Sequence, residues 1–246
     1  MKSWSTNGVG RLALDSAACV VIVLAVTGVL PRLASWVGGS TASLWAQSLF
    51  GVIAIIITQN VAIMGYVHWR MRHSDNRTTR IGLQGHGWVS TCVWAVPAVF
   101  AVNLVVASGF AVFGVRHNQA ASYPLSSGDT TGQLLFAVVA VIVAPFCEEI
   151  LFRGYLLGRL RRMLPTWVAL LVSAVLFAGA HSFAAKSGTI VLIVGTFAMG
   201  IVLGWARIAS RSLWPAVVAH MVNNGVAITA VTYCINHPGR GCALSP

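Results

Sequence analysis

PFCEEILFRGYL, residues 145–156, sets Glu148, Glu149 and Arg153 inside an otherwise apolar segment. The two glutamates are the only ones in the chain. A carboxylate in hydrocarbon is costly, so such side chains face a cavity, pair with another group, and serve a function. On a helix, Glu149 and Arg153 share one face four positions apart, with the acid on the N-terminal side as such pairs prefer. Glu148 projects about 100° away from Glu149 and about 140° away from Arg153. Its own helix therefore gives it no counter-charge. The expectation is a division of roles, with Glu149 holding Arg153 and Glu148 available as a general base.

The rest of the composition explains why this acid is so conspicuous. Of 246 residues, 57% are hydrophobic and 9% charged, with 16 Lys and Arg against 5 Asp and Glu, a formal charge of +11. A soluble domain is nearer one-quarter charged, so the chain asks for lipid. The basic residues stand in short clusters between apolar spans, the pattern of membrane topology signals, and no nucleic-acid partner is expected. Five cysteines show no CxxC or framework spacing, and those in or beside spans (Cys19, Cys92, Cys147 and Cys234) read as small membrane-embedded side chains.

Apolar runs of about 20 residues suffice to cross a bilayer as helix. Seven are expected, at about 13–35, 44–67, 88–113, 132–156, 166–184, 188–206 and 214–235, making an all-α polytopic transmembrane bundle. The first run is taken as a retained helix, because no small-residue cleavage site follows it. Residues 1–131 would carry three spans and their loops, 132–235 the chemistry-bearing core, and 236–246 a short tail. With seven spans, eleven Lys and Arg fall on the N-terminal side and four on the other, which puts the N-terminus inside. The longest outside loop, 114–131, reads as turn and coil. Depth raises a conflict: Glu148, His181 and His220 lie at unequal distances from their expected span ends. The expected resolution is a slanted or interfacial helix over 154–165.

Two further titratable side chains fall within spans, His181 in LFAGAHSF and His220 in WPAVVAHMVNNG. Asn224 follows His220 by one helical turn on the same face, and Asn223 is turned from it by about 100°. Imidazole and amide groups can donate to a developing oxyanion, or imidazole can bind a metal. Two carboxylates, an arginine, two histidines and an asparagine thus form a set able to activate water and stabilise a tetrahedral intermediate.

These residues also carry a resemblance. EEILFR (Glu148, Glu149, Arg153), FAGAH (Phe177 to His181), FAMGIVLG (Phe197, Gly200, Gly204) and HMVNN (His220, Asn224) resemble, in order, the four motifs of the CAAX protease and bacteriocin-processing family of intramembrane endopeptidases. The likeness covers about 145–225. It implies a peptide-bond hydrolase in which Glu148 activates water with help from His181, Glu149 holds Arg153, and His220 and Asn224 stabilise the oxyanion. It implies a peptide or protein substrate, lipidated or a small bacteriocin-like precursor, in a membrane that plainness suggests is a bacterial inner membrane. The glycines read more simply as sites of close helix approach. A metal-free route is the favoured expectation, and zinc held by Glu148, His181 and His220 is the alternative; H-E-x-x-H is absent.

A different class of reading is a non-catalytic scaffold, immunity factor or transporter that uses the same polar cluster for packing or ion passage. Among protease chemistries, no span serine sits in a nucleophile turn, and Asp15 is the one aspartate near a span. Cys147 abuts Glu148 and is the rival nucleophile. Cys147→Ala is expected to leave peptide hydrolysis intact. Loss of hydrolysis in Cys147→Ala, with Glu148→Gln still active, would reverse the assignment.

Overall fold

The computed structural model describes residues 48–73, 81–84, 87–113, 123–182 and 189–237, with positions 10, 14 and 18 in helix. Six helices make up most of this set: α1 (Leu49–His73), α2 (Trp88–Val112), α3 (Thr130–Met163), α4 (Thr166–Ser182), α5 (Thr189–Ser210) and α6 (Trp214–Asn236). The all-α bundle is as expected, and no strand occurs among the described residues. Among the described residues five helices are long and apolar enough to cross a membrane, fewer than the seven spans expected of the whole chain, and the described α4 is a shorter apolar helix. The expected first span, 13–35, lies outside the described residues except at positions 14 and 18.

Helix directions alternate. Leu49 at the start of α1 packs toward Gly132 at the start of α3, and Gly204 of α5 packs toward Leu157 of α3 and Leu170 of α4. In α6, His220 meets Glu149 while Asn236 meets Gln133, so α6 runs antiparallel to α3. Trp88 lies beside Trp214 and Asn103 bonds Asn223, so α2 runs with α6. One end of the bundle consequently gathers the last turns of α1, α3 and α5, with Arg70, Arg72, Arg161, Arg162 and Arg207.

The expected interfacial helix over 154–165 is not present. α3 continues unbroken to Met163, and Gly154, Tyr155, Leu156 and Leu157 are buried. The depth conflict resolves otherwise. Glu148 stands fifteen positions before Met163 and His181 fifteen after Thr166, so the α3–α4 hairpin brings them level. α6 starts recessed: Ser212 and Leu213 are fully buried, and the strap Ile81–Gln84 closes over them. Leu213 donates its N–H to the Gly82 carbonyl (2.7 Å), and Trp214 donates its indole N–H to the Leu83 carbonyl (3.0 Å). Gly82 has φ of 87° and lies under the Arg207 guanidinium, a position that a side chain would obstruct.

α3 is not a uniform α-helix. Val139–Val143 and Ile150–Leu156 are π-type turns on either side of the α-helical Ala144–Glu149. In this wider winding the Ala144 N–H bonds Val139 O, five residues back. The same register would pair Ala140 O with residue 145, a proline that has no N–H. Lipid offers no water to a freed carbonyl, so a neighbour must satisfy it. Asn224 does so, donating from Nδ2 at 3.0 Å. In the second π-type segment the Phe152 carbonyl accepts from Ser173 Oγ at 3.3 Å.

Gly200 marks a close approach of α4 and α5. A Cβ there would lie 3.1 Å from both Cα and Cβ of Ala174. Its carbonyl accepts from Arg153 Nη2 at 3.4 Å, so packing and polar satisfaction coincide. Gly200→Val is expected to overpack this contact and destabilise the protein by about 1–3 kcal/mol. Thermal unfolding in detergent would check it, and an unchanged midpoint would show that the helices separate freely.

Candidate active site

The two adjacent glutamates enter different environments because α3 turns them apart. Glu149 is fully buried, whereas the Glu148 side chain is 24% exposed. Glu149 Oε1 accepts from Arg153 Nη1 at 2.9 Å, the expected i, i+4 pair. The same oxygen lies 2.9 Å from His220 Nδ1. A carboxylate can only accept, so His220 donates Nδ1–H and turns Nε2 toward Glu148. Burying such a group requires hydrogen-bonded partners. Arg153 has several: its Cζ lies 4.1 Å from the centroid of the Phe177 ring, and its Nη2 reaches Gly200 O. The cation–π contact contributes on the order of 2 kcal/mol where both groups are desolvated.

His181 occupies the last turn of α4. Its Nδ1 donates to the Phe177 carbonyl at 2.9 Å, which fixes the tautomer and leaves Nε2 as an acceptor when the ring is neutral. His181 Nε2 and His220 Nε2 each lie 3.8 Å from Glu148 Oε2. These separations are too long for direct hydrogen bonds. Both Nε2 atoms thus converge on Glu148, the member of the glutamate pair that solvent reaches. Phe177 packs against both rings, 4.5 Å from the centroid of His181 and 5.8 Å from that of His220. The second oxygen of Glu149, Oε2, is buried without a hydrogen-bond partner among the described residues.

Five of the six expected residues thus converge: Glu148, Glu149, Arg153, His181 and His220. Asn224 lies one turn along α6 but contacts none of them through the hydrogen bonds just described. Its Nδ2 is given to Ala140 O, and its Oδ1 accepts from Asn223 at 3.3 Å. Among the described residues, no group of three or more His, Cys, Asp or Glu side chains is placed to hold a metal ion.

Asn103 of α2 donates to Asn223 Oδ1 at 2.7 Å and has no counterpart in the sequence motifs. An amide in the middle of an apolar helix was the signal that could have singled it out. Ser173, fully within α4, was likewise a span serine whose role is backbone satisfaction. Cys147 is a free, partly buried thiol, as is Cys92. Cys234 departs from the expectation of an embedded free side chain: it is disulfide-bonded. It sits in the last turn of α6, at the end of the bundle opposite the arginine clusters.

Residues 130–226 match the family model described as type II CAAX prenyl endopeptidase Rce1-like. The chain is also 33% identical over 90 residues to an uncharacterized 24.3 kDa protein of Escherichia coli, a match covering 36% of this chain and 40% of that protein. The chain thus spans about two-fifths of this relative's length. No solved structure matches.

Glu149→Gln leaves a buried guanidinium without its counter-charge. It is expected to destabilise the protein by about 3–5 kcal/mol. Arg153→Met combined with Glu149→Gln should cost less than the sum of the two single changes. Additive losses in chemical unfolding would mean that the pair is not coupled.

Proposed function

We propose that this protein, whose residues 130–226 match the Rce1-like type II CAAX prenyl endopeptidase model, is an intramembrane endopeptidase that hydrolyses a peptide bond with water activated by Glu148. The observation that carries the reading is the asymmetry of the glutamates. Glu149 is enclosed and bonded to Arg153 and His220, while the partly exposed Glu148 faces two imidazole Nε2 atoms.

A water beside Glu148 would donate one O–H as a hydrogen bond to Glu148 Oε2 and the other to His181 Nε2, an acceptor because Nδ1–H is spent on Phe177 O. A lone pair of its oxygen then faces the substrate carbonyl carbon. As the water oxygen bonds to the carbonyl carbon, Glu148 takes the proton and the carbonyl becomes an oxyanion. His220, when protonated, keeps Nδ1–H on Glu149 and offers Nε2–H to that charge. The imidazolium shares Glu149 with Arg153, and burial strengthens its contact with the oxyanion. Glu148 finally passes its proton to the leaving amine, which regenerates the carboxylate. Asn224 supplies its second amide N–H to the oxyanion while the first remains on Ala140 O.

The substrate class is a peptide or protein chain presented at the membrane, with a prenylated C-terminal peptide as the first candidate from the family description. The cluster of arginines at the ends of α1, α3 and α5 supports placing that end in the cytoplasm. The disulfide at Cys234 is consistent with an oxidising compartment at the other end. One span before α1 would then put the N-terminus inside.

Purified protein is expected to cleave a farnesylated peptide ending in Cys-a-a-X or members of a quenched-peptide library. Glu148→Gln should lower kcat by about 10²–10⁴-fold, with the melting temperature retained. Chelators should leave the rate unchanged, with no stoichiometric zinc by elemental analysis. Full activity in Glu148→Gln would sink the general-base assignment, and zinc-dependent cleavage would sink the metal-free one.

A further inference from the structure

A chain of three side-chain amides runs from α2 to α3. Asn103 Nδ2 donates to Asn223 Oδ1 (2.7 Å), Asn223 Nδ2 to Asn224 Oδ1 (3.3 Å), and Asn224 Nδ2 to the Ala140 carbonyl (3.0 Å). All three asparagines are partly buried. The direction of the chain is fixed at its α3 end. A carbonyl oxygen can only accept, so Asn224 must present its amino group to Ala140 and turn its oxygen to Asn223. Asn223 must then give its amino group and turn its own oxygen outward. Only a donor can meet that oxygen, and Asn103 supplies it.

From this order we propose that Asn103 is a positioning residue for the site, acting through Asn223 to lock the orientation of the Asn224 amide. The inference rests on the peptidase reading above. In the locked orientation Asn224 retains a second N–H to give. In the flipped orientation its oxygen would oppose the oxygen of Ala140, lone pair against lone pair, and the donor for the oxyanion would be misdirected. Without Asn103, the Asn223 oxygen has no donor and Asn223 rotates away, so the lock on Asn224 is lost. Asn103 lies on α2, outside residues 130–226. The N-terminal part of the chain thus contributes to the site through a hydrogen bond, not only by covering it.

Kinetics of Asn103→Leu on a library of fluorescence-quenched peptides test this. The expected result is about a tenfold loss in kcat, the scale of one hydrogen bond, with KM changed by less than about twofold. Asn103→Gln, which keeps the amide donor, should recover most of the rate. Combined with Asn224→Ala, Asn103→Leu should add no further loss. A loss confined to KM, an additive double variant, or no rescue by Gln would overturn the proposal. If the unaltered protein cleaves none of the peptides, the peptidase reading fails separately. The amide lock is then judged by NMR of ¹⁵N-asparagine-labelled protein in micelles. Faster hydrogen exchange at the Asn224 side-chain amide in Asn103→Leu supports the lock, and unchanged exchange rejects it.

Discussion

The ion pair between Glu149 and Arg153 is the constraint around which the rest of the bundle is arranged. Two full charges sit where relative exposure is 0% and 1%, so each must be met by groups from elsewhere. α6 supplies His220, α4 the Phe177 ring, and α5 the Gly200 carbonyl. Four helices therefore converge on one guanidinium and one carboxylate. A slide of any of them by a single turn would strand a charge in an apolar interior. Hydrophobic packing alone gives weak registration between membrane helices, because lipid tails are as apolar as the side chains they replace. The polar cluster supplies what packing does not, a unique alignment of α3, α4, α5 and α6.

A second layer of constraint lies in the backbone of α3. The π-type turns on both sides of the glutamates leave carbonyls that Asn224 and Ser173 take up. Pro145 is the covalent origin of one of them, since it removes the N–H that Ala140 O would otherwise accept. The local departure from α-geometry and the placement of a polar residue on a different helix are thus two parts of one solution. The same interaction draws α6 toward the first half of α3 while His220 draws it toward the second half.

Much of this could be read in the sequence because helix geometry is local. The i, i+4 relation of Glu149 and Arg153, and the exclusion of Glu148 from it, required only the rise and twist of one helix. The ordered motifs then gathered His181 and His220. What could not be read depended on non-local structure. The π-type winding of α3, its unbroken run to Met163 and the recessed start of α6 are set by partners far away in sequence, such as Ile81 against Gly154 and Leu213 beneath Gly82. An apolar pattern marks residues that suit lipid or core equally, so the boundaries of α3 and the number of spans were poorly determined by it. Asn103 was overlooked because the motifs drew attention to residues beyond 145, although its amide was an anomaly in α2 from the start.

The strap Ile81–Gln84 has a consequence for the membrane as a barrier. His220 is about 10 Å along α6 from Leu213, a far shorter distance than the thickness of a hydrocarbon core. A carboxylate and two imidazoles so near one aqueous face resemble the stepping stones of a proton pathway. The strap blocks the approach: its carbonyls are occupied by Leu213 and Trp214, and Ile81 is pressed against Gly154 directly after Arg153. In the peptidase reading proposed above, water would then have to reach Glu148 from another side. Closure at this end would let Glu148 and the two imidazoles lie within the bilayer without opening a proton path across it.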